Sequence, residues 1–181
     1  MTDTYYPPGA FYFSVTVLGV GIPVPGLTDI DASFQEISGI QVEYDTEEVV
    51  EGGENRFAHR LPRYGKYSNL SLKRGVVTKD SLLGEWVGQT IGSKLTLPVL
   101  PQPLLVTLLN GSGVPLIAWV FYNAWPVRWE TAPLDSMDNK LLTETLEFSY
   151  NYFDRLTLGS VASFATKMAQ IASSLVPGPR R

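Results

Sequence analysis

The chain has 181 residues, of which 44% are hydrophobic and 18% charged, with no cysteine, one histidine and a formal net charge of −4. That length supports one substantial core without asking for a second domain, and the composition is that of a globular chain. The missing cysteine excludes a disulfide framework and a thiolate metal site, and the acidic balance argues against broad non-specific binding to nucleic acid or to an anionic membrane.

The opening residues MTDTYYPPGAFYF lack the basic-then-apolar order of a secretory signal, so cytoplasmic synthesis is the expectation. Phe11 to Val20 reads as a strand, with Phe11, Phe13, Val15 and Val17 on one face and Tyr12, Ser14 and Thr16 on the other. Gly21 to Gly26 reads as a turn, and Ala32 to Ile37 as a short strand. From Ile40 the alternation of Ile40, Val42, Tyr44 and Thr46 against Gln41, Glu43, Asp45 and Glu47 predicts a half-buried strand with an acidic wet face. A second strand begins at Asn69, where Leu70, Leu72 and Arg74 alternate with Ser71, Lys73 and Gly75, and its bases suit pairing with those acids. Between the two, Glu51-Gly52-Gly53-Glu54-Asn55 predicts a sharp charged excursion, because both glycines accept positive φ.

Thr78 as cap, Asp80 near the positive end of the helix, and Leu82, Leu83, Trp86 and Val87 at helical spacing predict one short helix before Gly88 and Gly92, lying over a barrel mouth. Leu104 to Leu109 and Val114 to Ala124 form a hairpin around Asn110-Gly111-Ser112-Gly113. Its second arm is apolar on both faces, so a helix or a neighbouring subunit must cover the face that a small barrel leaves outside. Its longest apolar run, Pro115 to Trp125, falls well short of the roughly 20 residues that span a bilayer, so no membrane insertion is expected. Leu141 to Phe153 reads as one last strand, with Thr143, Thr145, Glu147, Ser149 and Asn151 on its wet face. Val161, Phe164, Met168, Ile171 and Leu175 then fall at intervals of three and four, which predicts an amphipathic helix that has to dock on something to be stable.

No catalytic set emerges. His59 stands alone, so it reads as a polar loop residue. Asp45, Glu47, Glu48, Glu51 and Glu54 lack calcium-loop spacing and read as a solvated face or subunit contact. Gly52-Gly53 and Gly19-Val20-Gly21 are turns without a phosphate-binding fingerprint. Arg63, Lys66, Lys73 and Arg74 beside Tyr64 and Tyr67 are the composition of a single-strand nucleic-acid track, but the adjacent acids favour a charged loop docking on an acidic neighbour. No cofactor or metal is expected.

The run VVEGGENRFAHRLPRYGKYSNLSLKRGV, Val49 to Val76, resembles the tail-tube proteins of contractile phage tails and contractile injection systems, relatives of the haemolysin-coregulated tube protein of type VI secretion. Phe121-Tyr122-Asn123-Ala124-Trp125-Pro126-Val127-Arg128-Trp129 looks like the Asn-Ala-Trp-Pro segment of that family, and Glu144 to Tyr152 looks like its closing strand. Departures are Arg63, where relatives often carry glycine, and the tail after Leu158, which many relatives lack. The resemblance implies a mainly β, barrel or sandwich tail-tube domain over residues 1–158 with one short helix, and a helical extension over 159–181. It also implies hexameric rings stacked into an inner tube, with sheath, baseplate or hub proteins as partners and DNA or an effector protein as cargo, in a phage tail or injection particle. Glu47, Glu48, Glu51, Gly52, Gly53, Glu54, Asn55, Arg56, Arg63 and Lys66 would make the contact between rings or subunits. The polar face of the last strand would line the channel, and Glu147 would make its wall weakly acidic. The appended helix would mark a specialised, baseplate-proximal ring or cover an edge of its own ring. The competing reading is a small monomeric β-sandwich hydrolase or carbohydrate-binding module.

Overall fold

The computed structural model describes residues 12–18, 34–53, 56–76, 82–94, 96, 98–134, 141–157, 166, 169–171 and 173. Thr78, Asp80, Glu54, Asn55, Val161, Phe164, Met168 and Leu175, named above, lie outside them.

One strand, β7 (Pro115–Thr131), organises the described fold. Its first half pairs with β6 (Gln102–Leu109) on one side and β9 (Tyr152–Thr157) on the other, whereas its second half pairs with β8 (Thr143–Ser149). At the change of partner Asn123 takes a φ of 53°, a left-handed conformation that asparagine tolerates better than most residues. The chain opposite turns the same corner, where the Asn151 amide donates to the Tyr122 carbonyl at 3.0 Å. The single last strand expected from Leu141 to Phe153 is therefore two strands. Tyr152 hid the break, because in the sequence it continues the apolar phase of Phe148 and Tyr150, whereas in the fold the phase slips by one residue at the bend, so that Phe153 packs on the main core and Tyr152 is exposed.

The β6–β7 turn follows its sequence closely. Asn110 Oδ1 accepts from the amides of Ser112 and Val114 at 2.9 and 2.8 Å, and Gly113 sits at a φ of 76°. Outward from this pair run β1 (Tyr12–Val17) on β6 and, beyond β8, β5 (Leu70–Gly75) and β2 (Phe34–Ser38). All neighbours are antiparallel, in the order β1-β6-β7-β8-β5-β2 with β9 beside β7. Strands β1 and β2 approach each other without a hydrogen-bonded ladder among the described residues, so this is an unclosed barrel.

The main core fills the concave side with Val15, Val17, Phe34, Leu70, Leu72, Leu104, Val106, Phe121, Leu146 and Phe148. Helix α1 (Leu82–Gly92) closes over it with Leu83 and Val87, and Trp86 stacks on Phe148 at 5.5 Å between centroids. The helix continues through Gly88 to Gly92 because Leu83, Val87 and Ile91 pack on the core at helical spacing, which outweighs the roughly 1 kcal/mol that an internal glycine costs. A second cluster lies on the opposite face of β6 and β7: Leu105, Ala118 and Val120, joined by Leu18, Tyr122, Leu156 and Ile171. The doubly apolar arm is thus covered on its outer face, and Ile171 belongs to a helical stretch of the chain's own C-terminal part.

The acidic strand β3 (Val42–Val49) does not pair with β5. Its partner is β4 (His59–Tyr67), inside what the sequence presents as an excursion, and the two form a separate hairpin. Two features masked β4. Pro62 and Gly65 break its composition, and nearly every residue is exposed, so there is no buried period to read. Between the pairs Tyr44↔Gly65 and Thr46↔Pro62 one residue of β3 faces two of β4, a bulge that twists the arm.

At the root of this arm Tyr67 packs edge-on against Tyr150 and Phe153, at 5.8 and 5.9 Å. The Tyr150 hydroxyl donates to the Gly39 carbonyl at 3.2 Å, and burial, followed by the proximity of Tyr67, pushes its pKa up to about 12. Gly39 has a φ of 84°, and a Cβ there would sit 1.9 Å from the Asn69 carbonyl oxygen. Gly39→Ala is therefore expected to destabilise the domain by more than the 1–3 kcal/mol, on the order, of backbone strain alone. Urea unfolding followed by tryptophan fluorescence measures it, and an unchanged midpoint would contradict this account of the root.

Candidate functional site

Two surfaces and one buried pair stand out. The first surface is the β3–β4 arm, eight residues long on its first strand and so roughly 25 Å from root to tip. Glu47, Glu48, Glu51, Gly52, Gly53, Arg56, Arg63 and Lys66 all lie exposed on it. Its acids and bases meet across the strands: Glu48 with Arg60 at 3.2 Å, Asp45 with Lys66 at 3.4 Å and Glu47 with Arg63 at 3.5 Å, while Glu51 lies 3.7 Å from His59. The acids thus find their bases on β4, within the arm, and not on the strand that follows Asn69. Left facing solvent between these pairs are Val42, Tyr44, Val49, Val50, Phe57, Leu61 and Tyr64. A two-stranded hairpin with both faces wet is marginal on its own in water.

The second surface is the polar side of the β2-β5-β8-β7 sheet. Thr143, Thr145, Glu147 and Ser149 are half-buried along β8, each between an inward-facing buried residue of the same strand. The register extends this face in rows that were not visible in any one strand: Ser38, Ser71, Glu147 and Arg128 in one, and Glu36, Lys73, Thr145 and Glu130 in the next. Arg128 bridges Glu130 at 2.7 Å and Glu147 at 3.2 Å, and Glu36 stands opposite Lys73 in the ladder, so the face carries acids and bases interspersed with one surplus carboxylate. Trp125, paired with Ser149, adds an exposed aromatic ring. Asn151 is exposed but stands in the bend between β8 and β9, off this row.

The buried pair is Arg74 with Glu144, directly opposite in the β5–β8 ladder, with Nε to Oε1 at 2.5 Å and both side chains almost wholly enclosed. Trp129 Nε1 donates to the other carboxylate oxygen at 3.0 Å, and the guanidinium lies over the Phe34 ring at 5.7 Å. A signal for it existed. Arg74 continues the inward phase of Leu70 and Leu72, and Glu144 that of Leu146 and Phe148, so opposite charges occupy apolar positions on two strands. Such a pair locks strand register, since a slip would bury each charge alone.

A family model described as T4-like virus tail tube protein gp19 matches residues 9–154. The chain belongs to that family. Among solved structures, a chain in the six-fold symmetrised baseplate of the anti-feeding prophage is 28% identical with a TM-score of 0.72, covering 85% of this chain and 98% of that one. A chain in the sheath–tube complex of the PVC extracellular contractile injection system is 23% identical with a TM-score of 0.68, covering 86% and 95%. A type six secretion system protein shares the fold at 11% identity and a TM-score of 0.53, covering 81% and 83%. No curated protein sequence matches significantly. The chain is accordingly a tail-tube protein of contractile injection machines, a structural subunit, and the reading as a monomeric hydrolase or carbohydrate module is set aside by the family it belongs to. No helix among the described residues is long and apolar enough to cross a membrane.

Removing one member of the buried pair is the sharpest test of its register role. Arg74→Met should destabilise by about 3–5 kcal/mol, because Glu144 is left charged and enclosed, and adding Glu144→Leu should restore most of that loss. A double-mutant cycle in guanidinium chloride reads the coupling, and additive effects would exclude it.

Proposed function

We propose that this chain assembles into hexameric rings that stack into the inner tube of a phage tail or phage-tail-like injection particle, with the β3–β4 arm as the contact between rings or subunits. The observation that carries this reading is the arm itself: a projecting hairpin with exposed valine, tyrosine, phenylalanine and leucine, on a fold whose family builds tubes. Within that assembly Thr143, Thr145, Glu147 and Ser149, extended by Ser71, Lys73 and Arg128, form the wall of the channel, with Asn151 at its margin. A polar face of hydroxyls with interspersed acids and bases suits a wall past which DNA or an effector protein slides without sticking. Sheath and baseplate or hub proteins are the outer partners, and the chain is made in the cytoplasm before incorporation. Greater likeness to the chain from a baseplate structure than to the one from a sheath–tube structure supports a baseplate-proximal ring.

The tube domain spans residues 1–158 and the extension 159–181, whose stripe of Val161, Phe164, Met168, Ile171 and Leu175 serves to cover an apolar face. Ile171 against Leu105, Ala118 and Val120 favours the chain's own outer face as that partner.

Deleting Glu51 to Asn55 is expected to leave a folded domain with unchanged far-ultraviolet circular dichroism that forms few stacks in negative-stain microscopy. Long tubes at wild-type concentration would remove the arm from the contact. Cysteines introduced singly at Thr145 and Ser149 should react with a small thiol reagent in assembled tubes and several-fold more slowly with a bulky one. Equal protection from both reagents would place that face in a packed interface.

A further inference from the structure

The arm leaves the sheet at one end of its strands. There Ser38 faces Ser71, Leu70 faces Phe148 and Trp125 faces Ser149, while Gly39 and Asn69 lead into and out of the hairpin. The same strands finish at the opposite end, where Gly75 faces Thr143 and Thr131 faces Glu144. Just past it the Val76 amide donates to the Leu142 carbonyl at 2.9 Å and the Ala132 amide to the Thr143 carbonyl at 2.8 Å. This brings Val76, Leu134 and Leu141 to one pole, and Leu134 and Leu141 are 80% and 91% exposed. Trp129, 49% exposed, borders them on β7.

We propose that the apolar pole formed by Val76, Leu134 and Leu141, bordered by Trp129, is the receiving surface for the β3–β4 arm of a second copy of this chain. Identical units stacked head to tail need two different, complementary surfaces at opposite ends, so an arm at one end requires a receiver at the other. The chemistry selects which surface that is. Asp45, Glu47 and Glu48 meet the arm's own Lys66, Arg63 and Arg60, so the larger offering to a neighbour is Val42, Tyr44, Val49, Phe57 and Leu61. An apolar offering is matched by an apolar receiver, and a charged one would lose its hydration with nothing in return. The polar sheet face fails that requirement, and the outer face of β6 and β7 has Ile171 on it. The assignment rests on the reading of the arm as a stacking contact.

Microscopy of purified protein separates the two claims. Leu134→Asp with Leu141→Asp, both at highly exposed positions, should fold with a wild-type urea midpoint and reduce stack abundance at least about a hundredfold, each lost leucine burial being worth about tenfold in association. Tyr44→Asp with Leu61→Asp should do the same from the other end. Mixing the two variants should yield pairs of rings and nothing longer, since one intact arm and one intact pole remain. If the arm variant fails to stack while the pole variant forms full tubes, the receiver is wrong and the arm reading stands; if both form tubes, both readings fall. A covalent test avoids reliance on folding of the aspartate variants. The chain has no cysteine, so Leu61→Cys with Leu141→Cys should give a ladder of disulfide-linked multimers when tubes are mildly oxidised, and no ladder from intact tubes overturns the assignment.

Discussion

A strand that belongs to two sheets at once is the constraint on which this domain depends. β7 can serve β6 and β9 with its first half and β8 with its second only if the backbone bends sharply between them, and Asn123 supplies the bend with a positive φ. Everything else is placed by that corner. The concave side becomes the main core, β8 is directed toward β5 and β2, and β9 returns along the first half as its second ladder partner, adding Leu156 to the outer cluster. Because the corner is paired by the Asn151 amide, the two halves of the fold meet at a hydrogen-bonded joint and not at a loose loop.

Sequence reasoning reached the parts of this fold in which burial follows a period. The β6–β7 hairpin, the helical stripe of α1 and the inward phase of β5 and β8 are each set by side chains that must leave water, so the pattern and the structure share a cause. It failed in two places for physical reasons. β4 has no buried face, and a strand without one leaves no period. The break after Tyr150 changes both the partner and the inward phase, but Tyr152 prolongs the apolar alternation in the sequence, so one pattern covers two strands.

The candidate surfaces were legible to different depths. Half of the polar sheet face could be read from β8 alone, whereas Ser71, Lys73, Arg128 and Glu36 join it only through inter-strand register, which a single strand does not encode. The charges of the arm were visible from the start, but their destinations were not: the acids of β3 meet Arg60, Arg63 and Lys66 of β4 and not the bases of β5. In the sequence Arg74 reads as a base suited to the acids after Ile40, and its pairing with Glu144 emerged only when β5 and β8 were seen side by side.

The pairing of charges within the arm has a consequence for the conditions under which the proposed contact would hold. Exposed ion pairs contribute little each and are screened as ionic strength rises, whereas burial of valine, leucine and tyrosine is strengthened by salts such as sulfate and weakened by cooling or urea. A joint made by the apolar residues of this arm therefore tightens in brine and loosens in the cold, the reverse of one held by complementary charge. In the proposed stack, that temperament favours endurance in salty surroundings over grip at low temperature.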